Sequence, residues 1–266
     1  MINSSFGGLL KDFRVKQNVN QSDVAYAMGW SEPSRLSRIE QGTTRKPSRD
    51  TIDKLCVILK LDRREKGELL CVGGYLPTDD EINAIRKEAQ QFLNTWPYPA
   101  YLLDFAWRLI DWNKHTGMVY GIDRDTTRTL RKKITNSLEL TFSPEFIQNK
   151  YLKAQSEIDK WHKVLLEKLV RFRLLNKSRT SDEWYQSFLM RMMKNNLFAH
   201  LWQKAQNTSE EHGIANYEHK YLVNATDVEK RFDFHIFRSP LIQDVRFEVN
   251  YHIPANATTL QFFNKK

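Results

Sequence analysis

Apolar residues recur at helical spacing along most of the chain and at alternate positions near its end, so helices dominate and a run of strands comes late. Between Phe6 and about Pro77 the segments are short and separated by turn residues. Leu9, Leu10 and Phe13 form one apolar face. Asn20 is placed to cap a second segment, in which Val24, Ala25 and Met28 point inward before Gly29 stops it. Pro33 suits the first turn of a third helix carrying Leu36 and Ile39, which Gly42 closes. A fourth begins near Ser48 with Ile52, Leu55, Cys56 and Leu59 inward, and a fifth runs from near Asp62 to Gly73-Gly74 with Leu69 and Leu70 as its apolar residues. The pattern predicts an all-α domain of five helices over residues 1–78.

Asp79 to Thr95 reads as a connecting helix, ended by Trp96-Pro-Tyr-Pro99 because proline cannot continue helical hydrogen bonding; 79–98 is therefore a linker. Over 99–266 a second domain is expected. Ala100–Asp104 and Arg108–Trp112 flank Phe105-Ala106-Trp107 with hairpin spacing, and Asn113 caps a short helix to about Tyr120. The middle is helical: Ile158, Trp161, Leu165, Leu169 and Phe172 recur at three and four residues, followed by Trp184, Phe188 and Met192. After about Thr208 the period becomes two. Phe232, Phe234 and Ile236 alternate with more polar neighbours, as do Val245, Phe247, Val249, Tyr251 and Ile253 with Arg246, Glu248, Asn250 and His252. These are strands of an antiparallel sheet with one buried face, which places His235 and His252 on polar faces as surface imidazoles. The fold class is α+β, helices first and a helix-covered sheet second.

Composition adds limits. A chain of 266 residues with 41% hydrophobic and 12% aromatic content can build its cores without staples. Cys56 and Cys71 lie in helical patterns without CxxC spacing, which argues against a disulfide framework or zinc ribbon. No run approaches the roughly 20 apolar residues of a membrane helix and the start lacks a leader pattern, so a soluble cytoplasmic protein is expected. There is no HExxH, GxSxG or phosphate-cradling glycine loop, hence no catalytic assignment, no metal site and no cofactor. The formal charge of +9 favours a polyanionic partner.

That charge is concentrated in Arg35-Leu-Ser-Arg-Ile-Glu-Gln-Gly-Thr-Thr-Arg-Lys-Pro-Ser-Arg49, just after the turn at Gly29. Two helices about a glycine turn make a helix-turn-helix, whose second helix enters the major groove of double-stranded DNA. With Leu36 and Ile39 inward, Ser34, Arg35 and Arg38 face outward; arginine pairs guanine and serine serves either base type. Arg45 and Lys46, in the following loop, are placed for phosphates. The string Asn20-Gln21-Ser22-Asp23-Val24-Ala25, Gly29, Leu36-Ser37-Arg38-Ile39-Glu40-Gln41-Gly42 and Arg45-Lys46-Pro47-Ser48 resembles the phage-repressor (Cro-type, XRE) helix-turn-helix family. The resemblance implies that Gln21 contacts the DNA backbone and that Arg14 pairs with Glu40. In this chain the turn after Gly29 is one residue longer than in the phage proteins. A homodimer on an inverted-repeat operator is expected.

Beyond Pro97 the chain holds Trp107, Trp112, Trp161, Trp184, Trp202 and most of its phenylalanines, enough either to fill a core or to wall an apolar pocket. Asp62-Arg-Arg-Glu-Lys-Gly-Glu-Leu-Leu-Cys-Val-Gly-Gly-Tyr75, Pro99-Ala-Tyr-Leu-Leu-Asp-Phe-Ala-Trp-Arg-Leu-Ile-Asp-Trp-Asn113 and Leu197-Phe-Ala-His-Leu-Trp202 resemble the MmyB-like transcription regulators. In that family a Cro-type domain precedes a PAS-like ligand-binding domain, and the resemblance implies a fatty-acid-like ligand. Wall candidates are Trp112, Trp161, Leu165, Phe172, Trp184, Phe188 and Trp202; head-group candidates are Arg171, Arg191 and His200. The alternative is a constitutive DNA-binding regulator whose second domain only dimerises or binds a protein. A cavity inside that domain separates the two readings.

Overall fold

Helix α1 (Phe6–Lys16) starts where the Ser5 hydroxyl accepts from the Gly8 N–H, and α2 (Gln21–Ala27) where the Asn20 side chain accepts from Asp23 N–H. The molecule is described by a computed structural model over residues 5–44, 46–146, 149–150, 152–208, 217–224 and 227–264. Gly29, at φ +69°, turns the chain toward α3 (Ser34–Glu40), which ends at Gly42, at φ +68°. Ser48 caps α4 (Arg49–Ile58), and a reciprocal capping box between Asp62 and Glu65 opens α5 (Arg63–Val72). Leu10, Val24, Leu36, Ile52, Leu55 and Leu69 meet in one core with almost no exposed surface. Each such side chain stabilises by roughly 1.5–3 kcal/mol.

By contacts the chain divides into two compact units, Met1–Pro77 with Pro240–Phe247, and Thr78–Ser239 with Glu248–Lys266. The first thus takes in a short segment from late in the sequence, which the periodicity had assigned to the sheet domain. The second includes the segment read as a linker: α6 (Asp79–Thr95) buries Ile82, Ile85, Ala89 and Leu93 and packs on the following hairpin.

In the second unit β1 (Ala100–Asp104) and β2 (Leu109–Trp112) pair antiparallel, Tyr101 opposite Trp112 and Leu102 opposite Asp111. Helices α7 (Lys114–Tyr120), α8 (Arg124–Lys132), α9 (Ser137–Thr141), α10 (Gln155–Leu175), α11 (Glu183–Met192) and α12 (Asn196–Gln206) follow. The chain then returns to the sheet with β3 (Tyr217–Asn224), β4 (Asp227–Pro240) and β5 (Phe247–Pro254), and ends in α13 (Ala257–Asn264). The five strands stand in the order β2-β1-β5-β4-β3. This is the expected helix-covered antiparallel sheet, an α+β fold.

Asn113 pins the start of this unit. Its amide donates to the carbonyls of Leu93, Trp96 and Tyr98, and its oxygen accepts from the N–H groups of Ala100 and Thr116. One buried side chain therefore satisfies the end of α6, the start of β1 and the start of α7 together.

The expectation of one buried face fails at β5. Both of its faces are covered: Asn250 and His252 are as buried as Phe247 and Val249. His252 is no surface imidazole: it has no exposed area, and its Nε2 lies 3.0 Å from the Tyr120 hydroxyl. No described helix is long and apolar enough to cross a membrane.

Candidate DNA-binding surface and ligand cavity

The two helices of the helix-turn-helix, α2 and α3, are held by one carboxylate. Glu40 accepts from Arg14 Nε at 2.6 Å and Nη2 at 2.9 Å, and from Gln21 Nε2 at 2.8 Å. A third Arg14 nitrogen donates to the Val19 carbonyl. The bond to Glu40 raises the pKa of Arg14, which therefore stays ionised. Close packing reinforces it. Gly7 lies so near the end of α3 that an added Cβ would sit 2.4 Å from the carbonyl oxygens of Ile39 and Glu40.

The polar face of α3 is turned outward as its periodicity requires. Ser34, Arg35 and Arg38 are exposed, while Leu36 and Ile39 are buried. The Arg35 guanidinium lies 4.6 Å from the Trp30 ring centroid; stacking uses its face and leaves N–H edges as donors. Lys46 is exposed with its ammonium 4.5 Å from the Tyr75 ring, and Tyr75 is anchored by its hydroxyl to the Pro47 carbonyl. Arg35 and Lys46, with Thr44 and Ser48, line one cleft of about 230 Å³. Gln21 is half-buried, and its amide is engaged with Glu40. Arg45 lies outside the described residues.

In the second unit a cavity of about 70 Å³ lies between the β1–β2 hairpin and helices α7, α9 and α10. Tyr101 and Leu109 come from the hairpin, Tyr120 from α7, Leu140 from α9 and Trp161 from α10. Three of its rings stack in series: Tyr120 on Phe146 at 5.9 Å and Phe146 on Trp161 at 6.0 Å. Its polar lining comprises Thr116, Ser137, Thr141 and one cation, Lys168. Thr116 and Thr141 donate to the carbonyls of Ala100 and Ser137. Their oxygens keep lone pairs, so toward the cavity these hydroxyls are acceptors.

Residues 5–69 match the model of a helix-turn-helix domain, and residues 85–263 match that of the MmyB-like transcription regulator ligand binding domain. The chain belongs to the MmyB-like transcription regulators. A search of curated proteins found no match. This MmyB-like protein is thus a transcription regulator with a DNA-binding helix-turn-helix and a ligand-binding domain, and every residue lining the cavity falls within the ligand-binding match.

Of the residues singled out for the ligand on sequence, Trp161 lines the cavity. Phe172 is instead the hub of a filled aromatic core, its ring 5.4 Å from Trp107, 5.8 Å from Tyr185, 5.1 Å from Phe188 and 6.4 Å from Trp202. Leu165 is fully buried in the same cluster, Trp184 packs on Phe105, and Trp112 stacks under Arg131. Arg171 faces Glu248 at 3.9 Å, exposed Arg191 pairs with Glu139, and His200 is exposed. None of these three lines the cavity. Lys168 does, and its signal was present in the sequence: it follows Trp161 by seven residues and Leu165 by three, a cation on the apolar stripe of its helix.

Proposed function

We propose that this regulator binds an inverted-repeat operator as a cytoplasmic homodimer and that a fatty acid held in the second unit modulates that binding. In this reading Ser34, Arg35 and Arg38 read base edges, while Gln21, Arg45 and Lys46 contact phosphates. Half-sites then lie about one helical turn, roughly 10 base pairs, apart. The observation that carries the ligand reading is the cavity: its apolar rings suit an apolar tail, and Lys168 is a cation for a terminal carboxylate. Each methylene buried contributes about 0.8 kcal/mol, so the tail needs little polar recognition.

Its size limits how the tail enters. A cavity of about 70 Å³ is well below the roughly 300–1,000 Å³ of pockets for drug-sized ligands. An acyl chain must therefore part the Tyr120, Phe146 and Trp161 stack, and that movement gives the ligand a structural effect. Mass spectrometry of small molecules released from the denatured, purified protein tests the reading, together with the unfolding midpoint in added dodecanoate. Recovery of an acyl acid, or a raised midpoint, is expected. An empty protein whose midpoint dodecanoate leaves unchanged favours the alternative of a constitutive DNA-binding protein.

A further inference from the structure

Strand β5 is divided between the two units: Phe247, its first residue, belongs with the helix-turn-helix, and Glu248 onward with the sheet. The turn before it, together with Phe247, lies in the segment Pro240–Phe247 that is part of the helical unit. There Asp244 and Arg246 form a buried pair. Asp244 Oδ1 accepts from the Arg246 backbone N–H at 3.1 Å and from its Nε at 3.0 Å, and Oδ2 accepts from Nη2 at 2.7 Å. The pair rests on α5 at Gly67, where an added Cβ would lie 2.7 Å from Asp244 Oδ1. That approach leaves no slack between the turn and the helix.

Further along, the same strand meets the walls of the cavity. Tyr120, a lining residue, has its hydroxyl 3.0 Å from His252 Nε2. Arg171, three residues beyond the lining Lys168 on α10, faces Glu248 at 3.9 Å. Both links lie in the second unit, one toward each end of that unit's share of β5.

We propose that β5 and its turn report the state of the cavity to the helix-turn-helix unit, a regulation that rests on the ligand reading above. A ligand that displaces Tyr120 or α10 shifts His252 and Glu248. A central strand, hydrogen-bonded on both sides, moves as a body, and its start carries the displacement to the Asp244–Arg246 pair on α5. From α5 the Glu65 carboxylate reaches Lys16 of α1, and α1 holds the end of α3 through Arg14 and Glu40. The device transmits only the difference in ligand affinity between two arrangements.

Hydrogen exchange of the full chain by mass spectrometry tests this in two arms. In the first, dodecanoate is added to the unaltered protein; in the second, Tyr120→Phe and, separately, Glu248→Gln are compared with it in the absence of dodecanoate. In each arm, exchange is expected to change about fivefold in residues 240–247 and 63–72 as well as in the cavity helices 114–120 and 155–175. A response in the cavity helices that stops short of 240–247 and 63–72 overturns the proposal and leaves the ligand reading intact. If dodecanoate alters no exchange anywhere, the ligand reading fails, and the variant arm alone decides whether the strand couples the units.

Discussion

The guanidinium of Arg14 clasps the carboxylate of Glu40 through two hydrogen bonds, and so ties the first helix of the DNA-binding unit to the end of the helix that presents Arg38. Both side chains are nearly out of water, 11% and 2% exposed. Removing the cation leaves Glu40 buried with Gln21 as its remaining side-chain donor. We expect Arg14→Met to destabilise the helical unit by about 3–5 kcal/mol, read from urea unfolding or from exchange in residues 6–58. A loss under about 1 kcal/mol, the range of exposed pairs, contradicts this account.

Gly7 serves the same junction through shape. A methyl group there would sit 2.4 Å from two backbone carbonyl oxygens, neither of which is the end of a flexible side chain. Gly7→Ala should therefore destabilise by about 1–3 kcal/mol or more, although alanine is the better helix former. A rise in stability would show that α1 can slide away from α3 at little cost.

On the roles proposed for them, Arg38 and Lys46 should separate specificity from affinity. Arg38 is exposed on the outer face of α3, and Lys46 lies beyond its end, held over the Tyr75 ring. We expect Arg38→Ala to weaken operator binding by about 1–3 kcal/mol and to relax sequence preference. Lys46→Ala should weaken operator and random DNA alike and lower the salt slope by about one. Equal losses on both DNAs from Arg38→Ala would reverse the assigned roles.

The helical unit was readable from sequence because its signals are local. Asn20, Ser48 and Asp62 cap helices within three residues of themselves, and Gly29 and Gly42 need only their own positive φ. The cavity was harder, since helical periodicity marks Trp161 and Phe172 as inward without saying that one faces space and the other a ring. His252 was misread for a related reason. Strict alternation describes a strand with one wet face, and nothing local to β5 shows that tertiary packing also covers the face carrying Asn250 and His252. The place of 240–247 left no periodic trace at all: the close approach at Gly67 depends on a residue 177 positions later.

The two cysteines should differ in reactivity. Burial pushes the Cys56 thiol up to about 11, whereas Cys71 is half-buried. At pH 8 only about one Cys56 in a thousand is a thiolate, which is the nucleophilic form. Native protein treated with a disulfide reagent at that pH should label at Cys71 first and at Cys56 only on unfolding. Equal rates in the native state would mean that the helical unit opens far more readily than its core implies.

Lys168 offers the sharpest test of what the cavity accepts. It is the one cation in the lining, and the hydroxyls of Thr116 and Thr141, elsewhere in that lining, already give their protons to backbone carbonyls. Lys168 is the charged donor a carboxylate would meet, while an alcohol of the same length offers no charge in return. Dodecanoate should bind more tightly than dodecanol by about 10- to 100-fold, the worth of a charge-assisted hydrogen bond. In Lys168→Met, which keeps the apolar stem of the side chain, that preference should vanish while dodecanol binding is retained. Isothermal titration of both ligands against both proteins measures the difference directly. A variant that still prefers the acid would place the carboxylate elsewhere, and one that loses both ligands equally would make Lys168 a packing residue.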